Sequence, residues 1–556
     1  MRSMGRVLLH VTSWSFLTGA LGVSITPAAQ AAEPAPPPAS QTITAGWFGL
    51  PPPGPASDQV LDFSHLDLPM IPAPSVRDAP ELEGHKVHQY VEDVVKFSYD
   101  SRDAGDRTWG RLAGTRWAEA TVDYVARQFK EGGIKEVAKI EVPFRGPEQV
   151  ATDWHLKLVG TPEFGAGSAD VELKSAFPMS QAAEGGAGPA IDGDHPPRAT
   201  IAVTAPVVYL GAASPADIAT REIKGKIAVV RVEPAPALFY SNTIRLSQQL
   251  VTAGAASVIV IYDSPGNMQV HFGSCKNAPC FTVGGEDGEF LMTVIAKAAA
   301  AHVLDKLQLS LSQTIDTTPQ AHAYMLVAKV PGRRSDENLV LSAHADAWFS
   351  GANDNASGVA GLIALAKHYA KGPKPQHDMY FLLSPGHHSP TGVTQRFVDL
   401  YPAIPRSNIL TINLEHIGQQ GVYKSYFNPR GMGPAISKYG NPSSVYVPVN
   451  WDSPGREISG APMTPTLKRV LAEAAARTEF TATARITGGA VAELAPLVAA
   501  GATGLQDVET SIWYHTSGDT PATVAPESLQ RVLLFYKDVL DHMDRLSRSL
   551  VREGLQ

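Results

Sequence analysis

The stretch Leu339–Gly358, LVLSAHADAWFSGANDNASG, constrains what this chain can fold into more than any other. Leu339-Val340-Leu341 is a short apolar run of the kind a buried strand needs. It leads into His344-Ala345-Asp346. A loop of small residues then reaches Gly351-Ala352-Asn353-Asp354-Asn355-Ala356-Ser357-Gly358. Beyond it, Val359, Leu362, Ile363 and Ala366 recur at helical spacing. One His and two Asp therefore stand where a strand hands over to a helix. Open α/β sheets bind ligands at the carboxyl ends of their strands. Imidazole nitrogen and carboxylate oxygen are zinc donors.

Other apolar runs end in the same chemistry. Met379-Tyr380-Phe381-Leu382-Leu383 leads to Gly386-His387-His388, and Ile412-Asn413-Leu414 leads to Glu415-His416. Further on, Tyr514-His515-Thr516 precedes Asp519-Thr520. Together these segments resemble the co-catalytic zinc exopeptidases, which include bacterial leucyl aminopeptidases, glutamate carboxypeptidase and transferrin receptor. The resemblance is carried by His344-x-Asp346 at a strand end, by Asp354-Asn355-Ala356-Ser357-Gly358 at a helix start, and by the 514–520 segment. Arg111-Leu112-Ala113-Gly114-Thr115 resembles the segment that precedes the second helix in that family.

The resemblance implies an α/β fold with a mixed central sheet and helices on both faces. It implies that Asp354 bridges two zinc ions, that His344 and Glu415 complete one site, and that His388 and His515 complete the other. Asp346 would orient His344 through its ring N–H. At His416 the family has an apolar residue, so a metal role there is the lesser expectation.

The departure is His387-His388, where the family has Glu-Glu. The first Glu is the general base and the second a zinc ligand. His388 can stand in as ligand, since imidazole suits zinc. His387 can exchange a proton, with an ordinary pKa of about 6.5 that nearby zinc would lower. Only Asp354 and Glu415 then remain as ligand carboxylates. This leaves open one zinc ion or two, or a different transition metal. The expected function is a metal-dependent hydrolase that uses a metal-activated water on an amide or related polar bond, with His387 as acid or base. Two alternatives stay open: a homologue that binds a ligand or partner without hydrolysis, and a metal-assisted lyase or isomerase acting on a small molecule.

A chain of 556 residues exceeds one ordinary core, so two folded domains are expected. Arg2, Arg6, the apolar stretch Val7–Val23 and the small-x-small Ala29-Gln30-Ala31 predict a signal peptide over 1–31. The protein would then be periplasmic or secreted; an uncleaved anchor is the alternative. Residues 32–79 read as a Pro-rich linker. Helical faces at Val87, Tyr90, Val91, Val94 and Val95, and at Ala118, Val122, Val125 and Phe129, open a catalytic domain over 80–153. It resumes over 319–556 and closes with an amphipathic helix from Leu529 to Met543.

Between these parts, residues 154–318 turn to strands, with GKIAVV at 225–230 and AGAASVIVI at 253–261. This segment resembles the protease-associated domain that several family members carry as an insert. The two cysteines, Cys275 and Cys280, predict a disulfide in an exported chain, with two thiols as the alternative. A net charge of −8 without a basic run argues against nucleic acid or an anionic membrane as partner. The expected partner is a small-molecule or peptide substrate. Trp348, Phe349, Trp513 and Tyr514 flank the expected ligands and are candidates for an aromatic pocket wall, although core packing is the commoner role.

Overall fold

The computed structural model describes residues 46–58, 60–61, 71–145, 148–179, 198–234, 246–275, 278–318, 321–428, 433–452, 456–485, 490–509 and 511–553. The expected signal peptide lies outside them. The first two helices are Gly84–Asp103 and Arg116–Glu131. Glu83 caps the first by accepting from the backbone N–H groups of His85 and Lys86, and Thr115 caps the second by accepting from Ala118. Such caps satisfy amides that have no partner inside the helix. Val87, Val91, Val94 and Val95 are buried, as are Ala118, Val122, Val125 and Phe129, while Tyr90 is half-buried at the margin.

Strand β1 (Glu136–Pro143) follows, and the chain then leaves for a second sheet. That sheet consists of β2 (Glu148–Leu158), β3 (Val171–Glu172), β4 (Phe177–Pro178), β5 (Arg198–Tyr209), β6 (Ile227–Val232), β7 (Ser257–Tyr262), β8 (Phe281–Val283) and β9 (Gln308–Thr318). Its order is β3-β2-β9-β5-β6-β7-β8-β4, with β5 to β8 parallel. The helix Gly285–Ala300 packs on it through Phe290, Leu291 and Val294. Within the stretch read as a linker, Trp47 is buried in this core and stacks on Phe164 at 5.2 Å. Cys275 and Cys280 are joined by a disulfide.

The chain returns to the main sheet with β10 (His322–Val330), β11 (Arg334–His344), β12 (His377–Ser384) and β13 (Asn408–Glu415). A two-stranded hairpin, β14 (Gln420–Ser425) and β15 (Val445–Asp452), stands apart. Strands β16 (Arg456–Ala461), β17 (Thr483–Arg485) and β18 (Gly504–Glu509) complete the order β1-β10-β12-β11-β13-β18-β16-β17. Strands β12, β11, β13 and β18 run parallel, β1 and β10 pair antiparallel with their neighbours, and β16 is antiparallel to β18 but parallel to β17. The sheet is mixed, as expected.

Both faces of its centre are covered, which is why these strands read as unbroken apolar runs. Successive side chains point to opposite faces. Leu339 and Leu341 accordingly join the core made with the helices Gly84–Asp103, Gly358–Lys371 and Pro526–Met543, while Val340 joins Leu382, Phe397 and Leu497 on the other face. The closing helix buries Leu529, Val532, Leu533, Tyr536, Val539, Leu540 and Met543. Fully burying one such Leu, Val or Met side chain contributes roughly 1.5–3 kcal/mol. Truncating Leu533 to Ala would cost about 2–5 kcal/mol.

Candidate metal centre

Strand β11 ends at His344 with its ring fully buried. The chain loops through Ser350 and Gly351 and enters the helix Gly358–Lys371 by way of a wide turn, Ala352–Ser357, that contains Asp354. Arg111 pins this loop. Its guanidinium is fully buried and donates to the carbonyls of Ala345, Ser350 and Gly351 and to Ser98 Oγ. Burial pushes its pKa down to about 10 even though Asp354, Asp519 and Asp346 work the other way. Asp519 accepts from the backbone N–H groups of Asn353 at 2.8 Å and Asp354 at 3.0 Å, so the segment around His515 fixes where Asp354 points.

The two oxygens of Asp354 face different histidines. Its Oδ1 lies 3.2 Å from His344 Nε2 and 3.1 Å from His416 Nε2. Its Oδ2 lies 3.3 Å from His515 Nε2 and 3.7 Å from His388 Nε2. The structure thus assembles His344, Asp354 and His416 in one group and Asp354, His388 and His515 in another. Burial raises the pKa of Asp354, but the surrounding histidines, led by His416 and His388, hold it well below the usual carboxylate range.

Asp346 supports both groups. Its Oδ1 meets His344 Nδ1 at 2.9 Å, and its Oδ2 accepts from the backbone N–H of His388 at 3.0 Å. Gly386 makes this approach feasible. Its φ is +125°, and a Cβ there would stand 1.8 Å from the Asp346 carboxyl carbon. Burial opposes ionisation of Asp346, yet His388 and His344 bring its pKa down to about 2. Burial lowers the pKa of His344, but the carboxylates of Asp346 and Asp354 lift it well above the ordinary value.

His387 and Glu415 form the third part of the site. Glu415 Oε2 accepts from Asn413 Nδ2 at 2.9 Å and Gln506 Nε2 at 2.6 Å. That leaves Oε1 facing inward, 3.9 Å from both His387 Nε2 and His416 Nε2. The geometry therefore puts His416 closest to the Asp354 carboxylate, with Glu415 beside it. His387 Nδ1 turns away, toward Glu493 Oε1 at 3.1 Å. Burial lowers the pKa of His387, but the Glu493 carboxylate outweighs it and carries the value up to about 9. His515 is held down to about 4 by burial, against the pull of Asp354.

These residues fit zinc. His344 Nε2, His388 Nε2, His416 Nε2 and Asp354 Oδ1 are buried and have no hydrogen-bond partner among the described residues, which is costly for polar atoms unless an ion satisfies them. Ligand atoms about 2.1 Å from a tetrahedral zinc lie about 3.4 Å apart, which is the spacing seen around Asp354.

Two residues carry more than the sequence reading gave them. His416 was discounted because an apolar residue was expected there. Glu493 was not singled out at all. Its signal is a lone acid in the apolar run Ala490–Ala500, where a buried charge needs a partner. The aromatic wall is only partly there. Phe349 and Trp513 are fully buried core residues, Phe349 lying 4.9 Å from Phe177 of the second sheet. Trp348 stacks on His271 at 3.7 Å, and Tyr514 lies against His515 at 3.8 Å and His416 at 5.1 Å.

Residues 325–444 match Peptidase family M28, a segment that includes His344, Asp354, His387, His388, Glu415 and His416. Among solved structures, a peptidase M28 precursor from Shewanella amazonensis SB2B is 17% identical, with a TM-score of 0.56 over 84% of this chain and 98% of that one. A zinc aminopeptidase from Bacillus subtilis is 16% identical, with a TM-score of 0.52 over 83% of this chain and 95% of the other. At these identities the likeness shows a shared fold. None of the curated proteins matches this chain. The family match over the donor-bearing segment marks the chain as a metallohydrolase, and the resemblance to the co-catalytic zinc exopeptidases read in the sequence agrees with Peptidase family M28.

Proposed function

We propose that this chain is an exported zinc-dependent hydrolase that cleaves a peptide or related amide bond. The observation that carries the reading is the bridging position of Asp354, with His344 and His416 on one oxygen and His388 and His515 on the other. In this reading His344, His416 and Asp354 Oδ1 hold one ion with Glu415 close by, and Asp354 Oδ2, His388 and His515 hold a second. Zinc bound there would polarise a substrate carbonyl and activate water at neutral pH. Asp346 orients His344, and Asp519 with Arg111 holds the Asp354 loop in register. His387 reaches into the site through Nε2 and is the residue placed to carry a proton at the reacting bond, the part played by Glu in the related family. Export is supported by the amino-terminal sequence pattern and agrees with the Cys275–Cys280 disulfide. Residues 154–318 act as a protease-associated-like lobe that covers the site. His271 in that lobe stacks on Trp348, which lies on the loop between His344 and Asp354.

The test is a zinc-reconstituted full chain assayed against aminoacyl, acyl-amide and glycosidic substrates, with and without a chelator. Chelator-sensitive cleavage of an amide substrate supports the reading. Tight zinc binding with no cleavage of any substrate class contradicts it and points to a binding protein.

A further inference from the structure

Glu493 is fully buried, and its carboxylate lies against the ring of His387. Both oxygens are within reach of His387 Nδ1, at 3.1 and 3.3 Å, and Ser384 Oγ at the end of β12 donates to Oε1 at 3.3 Å. A buried carboxylate persists only when it is paired and hydrogen-bonded. The backbone is also tied down. Thr394 Oγ1, seven residues beyond His387, donates to the Glu493 carbonyl at 2.6 Å. Two segments 106 residues apart are thus held together around one imidazole.

The arrangement repeats that of His344. There Asp346 takes Nδ1 and leaves Nε2 facing Asp354. Here Glu493 takes Nδ1 and leaves Nε2 facing Glu415 Oε1 at 3.9 Å. A carboxylate on one ring nitrogen fixes the tautomer and orientation of a histidine, and losing such a partner typically costs about 10–100-fold in activity or metal affinity. We infer that Glu493 is the positioning residue for His387: it keeps the proton on Nδ1 and presents Nε2 to the substrate. Replacing Glu by His at position 387 removes a carboxylate from the site, and Glu493 supplies one from a different part of the chain. This rests on the hydrolase reading for its consequence in catalysis, but not for the state of the ring.

The test has two readouts on the zinc-loaded full chain. The first is ring nitrogen NMR of histidine-labelled protein, with the His387 signal identified by its loss in His387→Gln. The inference predicts a proton on Nδ1 in the wild type; a ring protonated at Nε2 alone overturns it. The second is Glu493→Gln with Glu493→Asp as the conservative control. Glu493→Gln should keep its zinc and change the His387 ring signal. Its kcat should fall about 10–100-fold with KM within about twofold, and Glu493→Asp should recover part of the loss. Loss of zinc in step with kcat, or an unchanged ring signal, overturns the positioning role. If the wild type cleaves nothing, the hydrolase reading fails while the ring measurement still decides the pair.

Discussion

The two eight-stranded sheets of this chain are built alike at their centres and differ at their strand ends. In both, parallel strands carry an unbroken buried run, as in Leu339–His344 of β11 and Ile227–Val230 of β6. In the main sheet, β11, β12 and β13 run out into His344, the His387–His388 turn and Glu415–His416. In the second, β6, β7 and β8 end at Val232, Tyr262 and Val283. Among the described residues, every group of three or more metal-capable side chains draws on the main sheet and its loops alone. Apolar runs build the scaffold, and a handful of polar residues at the strand ends decides whether it does chemistry.

This contrast can be broken by moving charge in each sheet. The largest effect belongs to Asp354→Asn, which should strip both ions and lower kcat/KM by at least about 10⁴-fold, because residues acting as one unit fail together. The matching change at the end of β7, Asp263→Asn, removes a partner of Arg231 and Lys424. It should leave zinc content and rate within about twofold, because none of the metal-capable groups among the described residues includes Asp263. A large loss of zinc from Asp263→Asn would show that the second sheet takes part in metal binding.

The next effect separates the adjacent histidines. His387→Ala should retain zinc and lose about 10²–10⁴-fold in kcat, the usual size for a general acid or base. His388→Ala should lose zinc and rate together. Full activity in His387→Ala would remove it from the chemistry. The smallest effect sharpens the scaffold side. The disulfide closes a loop with a sequence separation of only 5, so replacing both cysteines by Ser should cost about 2 kcal/mol of stability. Thermal unfolding should shift while zinc content stays constant.

What the sequence made legible follows from distance along the chain. His344, Asp346 and Asp354 lie within one strand–loop–helix unit, so their spacing alone carries the geometry. The buried strands were also legible, because both faces of β11, β12 and β13 are covered and the runs are unbroken. Glu493 was not, because its pairing with His387 spans 106 residues and no local pattern signals it. His416 was set aside for the residue type expected at its place; the backbone there has a φ of +55°, which helps set the direction of its ring. Strands β16 to β18 were missed because they are short and mix polar with apolar residues, as in Arg456–Ala461. Trp47 was missed because proline-rich surroundings signal an extended chain and not what that chain packs on.

Elemental analysis of the zinc-reconstituted full chain decides whether Asp354 joins two metal positions. Two zinc ions per chain are expected, falling to one in His416→Ala and in His515→Ala, because each variant removes a ligand of the ion beside a different oxygen of Asp354. A wild-type chain that retains no zinc after reconstitution, or one ion lost equally in both variants, would contradict it.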